Sequence, residues 1–128
     1  MVLRLILAAA LGAGIGYQRE RVGKAAGLRT HASIALGAAL FTVASFSFGA
    51  NADPSRVAAG VVVGVGFIGA GAILRGFRGD EGVAGLTTAA CIWVTAAIGL
   101  AAGAGLYFIA AIAALITWIV LILPKIHG

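Results

Sequence analysis

Apolar residues in this chain run in long blocks rather than at the three-to-four spacing of an amphipathic surface helix. The blocks fall at about residues 2–17, 31–49, 55–74, 86–102 and 105–123. Polar interruptions separate them: "QRERVGKAAGLRT", "ANADP", "RGFRGDEGVAG" and a short Gly-rich turn. Blocks of this size approach or match the roughly 17–25 apolar residues a helix needs to cross a bilayer. The last two need a break, because one helix from Leu86 to Leu123 would be about 57 Å long. That is nearly twice the hydrocarbon thickness of about 30 Å. The break is expected at "AGAG", where Gly103 and Gly105 permit a turn. The pattern therefore predicts an all-α, polytopic membrane helix bundle with five transmembrane helices, one domain over residues 1–128.

Composition supports this reading. Hydrophobic residues make up 62% of the chain and charged ones 10%, against about a quarter charged in soluble domains. The first block ends in "GYQRER", which is not the small-residue site of a cleaved signal peptide. The formal charge is +5. Clustered cations can bind nucleic acid, but in so apolar a chain they are better explained as the cytoplasmic excess of membrane proteins. The expected partner is thus the lipid bilayer and not nucleic acid. Cys91 is the only cysteine, so no intrachain disulfide can form, and its apolar setting makes it a small buried hydrophobe.

Five alternating crossings place Arg19, Arg21, Lys24, Arg29, Arg75, Arg78 and Lys125 on one side, with only Arg4 and Arg56 on the other. This bias predicts a multi-pass protein of the plasma membrane with its N-terminus outside and its C-terminus cytoplasmic. Tyr17, Tyr107 and Trp118 fall near expected span ends, where interfacial aromatics gather.

The chain also repeats itself. "AGLRTHA" (26–32) returns as "AGLTTAA" (84–90), with five of seven residues identical. "GAGIGYQR" precedes the first copy and "GAGAILRG" the second. Spans one and two then form a degenerate copy of spans three and four, a parallel repeat with its axis along the membrane normal. In each copy, Gly27 or Gly85 is expected to relax a tight turn and Thr30 or Thr88 to cap the helix that follows. Asp53, Pro54 and Ser55 read as an N-cap and first turn on the opposite side. Four-spaced glycines, Gly12/Gly16, Gly60/Gly64 and Gly99/Gly103, together with Gly66, Gly69 and Gly71, read as close helix-packing positions. They also suggest a homo-oligomer, most simply a dimer.

Chemistry inside the spans is sparse. The only acids, Glu20, Asp53, Asp80 and Glu81, lie at span ends or in loops, whereas proton relays and cation pathways usually carry intramembrane ionisable groups. No metal-ligand spacing is present, and magnesium usually requires carboxylates among its ligands. A site of hydroxyls and carbonyls, using Thr42, Ser45 or Thr95, is the weaker alternative. His31 and Ser33 are two apart, a spacing that does not bring helical side chains together. No catalytic constellation follows, so the chain is read as a non-enzyme without cofactor. Polar chemistry is left to the basic rim, where Glu20 and Lys24 would pair if the segment is helical. That rim either attracts anionic headgroups or docks another membrane protein complex.

Taken together, "GYQRERVGKAAGLRTHASIALGAALF", "DPSRVAAGVVVGVGFIGAGAILR" and "GLTTAACIWVTAAIGLAAGAGLY" resemble the N-terminal transmembrane domain of the MgtC/SapB family, in a short form without the soluble C-terminal domain. The resemblance implies a bacterial inner-membrane protein tied to magnesium homeostasis, virulence and control of the ATP synthase. Transport of magnesium or another ion is the alternative. The family motif maps onto Arg19, Glu20, Gly27, Leu28, Arg29 and Thr30, onto Asp53, Pro54 and Arg56, and onto Gly85, Thr87 and Thr88. With His31, the polar members of this set are the candidate binding residues. Family members often carry an acid at the position of Gln18, a Gln at that of Gly60 and a Ser at that of Val63, so this chain is less polar in its third span.

Overall fold

Among the described residues five helices follow one another: α1 (Val2–Arg21), α2 (Leu28–Ser45), α3 (Pro54–Arg78), α4 (Leu86–Gly103) and α5 (Tyr107–Ile122). The computed structural model describes residues 1–78 and 85–123, with backbone only for 75–78. Arg75, Arg78 and Lys125, and the acids Asp80 and Glu81, therefore lie outside the described side chains. By length and composition, Pro54–Leu74 and Leu86–Gly103 can each cross a membrane, while α5 is apolar but shorter, at 16 residues.

The bundle has the exterior of a membrane protein. Phe41, Phe67, Trp93, Phe108 and Leu115 all present large apolar side chains outward, an arrangement expected where lipid replaces water. Its interior is made of small residues, with Ala8, Ala35, Ala39, Ala102 and Ala110 fully enclosed and, among the described residues, only Ile15, Ile92 and Ile98 as large buried aliphatics. Small side chains let backbones approach, and that packing replaces the hydrophobic drive missing in lipid.

Helix α4 is the hub and touches all four others, whereas α3, among the described residues, touches only α2 and α4. Seam geometry follows from the glycines. A Cβ on Gly12 would lie 2.8 Å from the Ala35 Cβ, and one on Gly16 would lie 2.6 Å from the Leu28 Cα. Helices α1 and α2 are thus antiparallel and in close contact. Across α2 and α4 the order is parallel, with Gly99 against Ala35 and Gly103 against Ala39.

The hairpin contacts recur in the second copy. Gly69 lies against Ala89 as Gly12 lies against His31, and Gly85 lies against Ile73 as Gly16 lies against Gly27 and Leu28. Residues 58 apart in the "AGL" copies thus occupy corresponding places in two antiparallel hairpins.

Several expectations need correction. Helix α1 continues to Arg21, because charged residues such as Arg and Glu are good helix formers and the end of an apolar block is no helix stop. It still ends before Lys24, so the expected Glu20–Lys24 pair has no helical turn to form on. Gly27 and Gly85 have φ of −108° and −115°, so turn freedom is not why they are glycine. Space is the reason at Gly85, where a Cβ would lie 2.8 Å from the Ile73 Cα. The left-handed glycines are Gly23, Gly49 and Gly105, the last with φ 86° at the expected α4–α5 break. Of the expected packing glycines, Gly60, Gly64, Gly66 and Gly71 would carry a Cβ with nothing within 4 Å. None of them is pressed against a neighbouring helix, because α3 is the peripheral helix; Gly60 and Gly64 look onto the open seam with α2.

Candidate functional site

Arginine 19 and Thr88 form the most unusual polar contact in the bundle. Gly12, Gly16 and Arg19 lie on one face of α1 at i, i+4 and i+7. The two glycines bring α2 to the backbone of α1, so the guanidinium is directed along the seam to α4. There Arg19 Nη2 donates to Thr88 Oγ1 at 2.8 Å. Arg19 is only 4% exposed and Thr88 6%. An arginine keeps its charge in a protein even when enclosed in this way. Its Nε has no hydrogen-bond partner among the described residues.

His31 is enclosed in the same α1–α2 seam at 0% exposure. Its Nδ1 is 3.0 Å from the Gly27 carbonyl oxygen, and Nε2 has no hydrogen-bond partner among the described residues. Glu20 is exposed and does another job: its Oε1 accepts from the Leu28 N–H at 3.3 Å. That bond satisfies one of the orphan donors at the start of α2. The cap expected from Thr30 is absent, since the N-cap residue is Gly27, which has no side chain to bond with. Thr88 likewise does not cap α4 and is turned inward to Arg19.

The remaining candidates are dispersed. Arg29, Thr30 and Thr87 are exposed at the end of the bundle that carries Arg19. Asp53 and Arg56 belong to the start of α3, at the opposite end. Asp53 Oδ1 accepts from the Ser55 N–H at 3.1 Å and from its hydroxyl, which is the expected N-cap geometry. The structure thus brings together Arg19, Thr88 and His31, and leaves Asp53 and Arg56 apart.

The hydroxyls of Thr42, Ser45 and Thr95 do not converge. Each donates to a carbonyl of its own helix, to Ala38, Thr42 and Cys91 at 2.6–2.7 Å, the local back-bonding that these residues commonly adopt. Among the described residues, no three His, Cys, Asp or Glu side chains could share a metal ion.

Sequence reasoning missed two polar contacts and one buried polar side chain. Arg4 Nη1 donates to the Gly103 carbonyl at 3.0 Å, closing the C-terminal end of α4. Trp118 Nε1 donates to the Gly14 carbonyl at 3.1 Å and ties α5 to α1. Gln18 is 8% exposed, and its Oε1 has no partner among the described residues. For Arg4 a signal existed, because a charged residue inside an apolar span needs a partner. For the other two there was none.

The MgtC family profile matches residues 5–127. The chain is 48% identical over 128 residues to the Escherichia coli (strain K12) protein named "Putative magnesium transporter YhiD", an alignment covering 94% of this chain and 58% of that protein. It is 46% identical over 115 residues to "Protein SrpB" of Synechococcus elongatus, covering 81% and 63% of the two chains. To "Protein MgtC" of Brucella abortus (strain 2308) it is 47% identical over 103 residues, covering 80% and 42%. The chain thus spans about half the length of these relatives. No solved structure matches it. A small-residue helical bundle with membrane-spanning helices, matched along nearly its whole length by one family, leads to one conclusion: the chain belongs to the MgtC family.

Proposed function

We propose that this chain is a non-enzymatic modulator in magnesium homeostasis, acting on another membrane protein complex through the basic end of its bundle. Arg19 carries the reading. It is the only Lys, Arg, Asp or Glu side chain buried among the described residues, and its bound partner is a neutral hydroxyl. A divalent cation entering the α1–α2–α4 seam would meet a fixed positive charge in a low-dielectric setting. The same end presents exposed Arg21, Lys24 and Arg29, which suit an acidic partner surface. The ATP synthase, implied by the family resemblance, is the first partner to test.

Two predictions test this reading. With the basic end in the cytoplasm, a cysteine at position 24 in a Cys91→Ala background is shielded from impermeant thiol reagents added outside intact cells. Labelling from outside would reverse the orientation. In cells under magnesium limitation, Arg29→Ala and Glu20→Ala each reduce the growth effect to that of a deletion strain, while purified wild-type protein in liposomes moves no magnesium. Saturable magnesium flux from the purified protein would instead establish transport, the reading supported by the name of the Escherichia coli relative.

A further inference from the structure

The α2–α3 seam is open, unlike the α1–α2 and α2–α4 seams, where glycines press backbone against backbone. A groove of about 600 Å³ runs along it, floored by Gly37, Gly60 and Gly64 and walled by Phe41 and Ile68. A Cβ at any of these glycines would meet nothing within 4 Å. Such a groove, facing hydrocarbon, loses dispersion contacts unless a chain fills it.

Its polar end is defined by helix register. Arg29, Ser33, Gly37 and Phe41 recur at i, i+4, i+8 and i+12, a stripe in which each residue lies one turn above the last and about 40° round α2. Ser33, Gly37 and Phe41 line the groove, and exposed Arg29 lies one turn beyond it toward the basic end. Twelve residues of helix rise about 18 Å, slightly more than half of the hydrocarbon core of about 30 Å. The groove and Arg29 together thus span about one leaflet, with the cation where the headgroup would lie.

We propose that the α2–α3 groove binds an anionic phospholipid, with one acyl chain along Gly37, Gly60 and Gly64 and its phosphodiester paired with Arg29. A second copy docked here about an axis along the membrane normal would bring two Arg29 side chains to one depth of one interface. Like charges would then be brought together. A phosphodiester reverses the sign at the same position.

The test uses the purified full chain in mild detergent, with lipid retention read by native mass spectrometry. Phosphatidylglycerol and phosphatidylcholine with identical acyl chains are the probes. Wild type retains phosphatidylglycerol preferentially. Arg29→Gln lowers that preference about fivefold, the effect of one cation near an anionic surface, and leaves phosphatidylcholine retention unchanged. Gly64→Leu fills the groove and lowers retention of both lipids about tenfold, the equivalent of fewer than two buried methylenes. Gly60→Leu does the same one turn away and serves as a second variant should Gly64→Leu fail to fold. Undiminished retention of both lipids by the leucine variants overturns the proposal. So does dissociation of a dimer by these variants with lipid retention unaffected, or full displacement of phosphatidylglycerol by glycerol 3-phosphate. These measurements on purified protein are independent of the cellular growth result.

Discussion

Gly99→Ala is expected to lower stability by about 1–3 kcal/mol, while Gly64→Ala leaves it unchanged or raises it by up to about 1 kcal/mol. Both glycines are interior to helices, so the gain in helix propensity on adding a methyl group is the same. What differs is the neighbour. At Gly99 the new Cβ would be driven into the Ala35 backbone, 2.7 Å from its Cα. Backbone cannot swing aside as a side-chain tip can, so α2 and α4 must separate. Ala35 is fully buried and Ile98, beside Gly99, is 1% exposed, so the separation loosens packing on both sides. Overpacking therefore exceeds the propensity gain. At Gly64 no atom stands within 4 Å, and propensity alone acts. Denaturation midpoints in a fixed detergent, by heat or by titration with SDS, report the contrast. Equal effects at the two positions would mean that the α2–α4 contact does not hold the bundle together.

Thr88→Val should cost about 1.5–3 kcal/mol, the range for a hydrogen bond to a charged group. Thr87→Val should change stability by no more than about 0.5 kcal/mol. The two residues are neighbours with the same side chain, and only Thr88 is buried and bonded to Arg19. Valine keeps the shape of threonine but removes the acceptor, so a guanidinium with an unpartnered Nε loses a bond it has in the native fold. Burial magnifies that loss. A companion variant, Arg19→Met, removes the charge and retains an apolar stem of similar reach. It should be far less damaging than Thr88→Val, because replacing a buried ion by a hydrophobe is often neutral or stabilising. A fold that survives Arg19→Met with its cellular effect lost would show that the charge serves function rather than stability. Equal midpoints for Thr88→Val and Thr87→Val would sink this account of the contact.

Much of the architecture was legible in one dimension because a bilayer imposes a one-dimensional rule. A span must be long and apolar, so the length of each block marked a helix, and "AGAG" marked the break now seen at Gly105. The repeated "AGL" strings marked corresponding helix starts, since both copies meet the same demand for close backbone contact. Asp53 was legible as a cap because capping is a local event. Everything depending on which helix faces which was hidden. Gly12 and Gly64 sit in similar small-residue runs, yet one is pressed against α2 and the other faces open space. The difference lies in the peripheral position of α3, which spacing along the chain does not encode. Arg19 looked like one more cation of a solvated rim. Only the approach of α1 to α2 and α4 buries it against Thr88, 69 residues away in sequence. Apolar length and capping are properties of neighbouring residues, whereas the burial of a charge depends on surfaces that the chain brings together only when it folds.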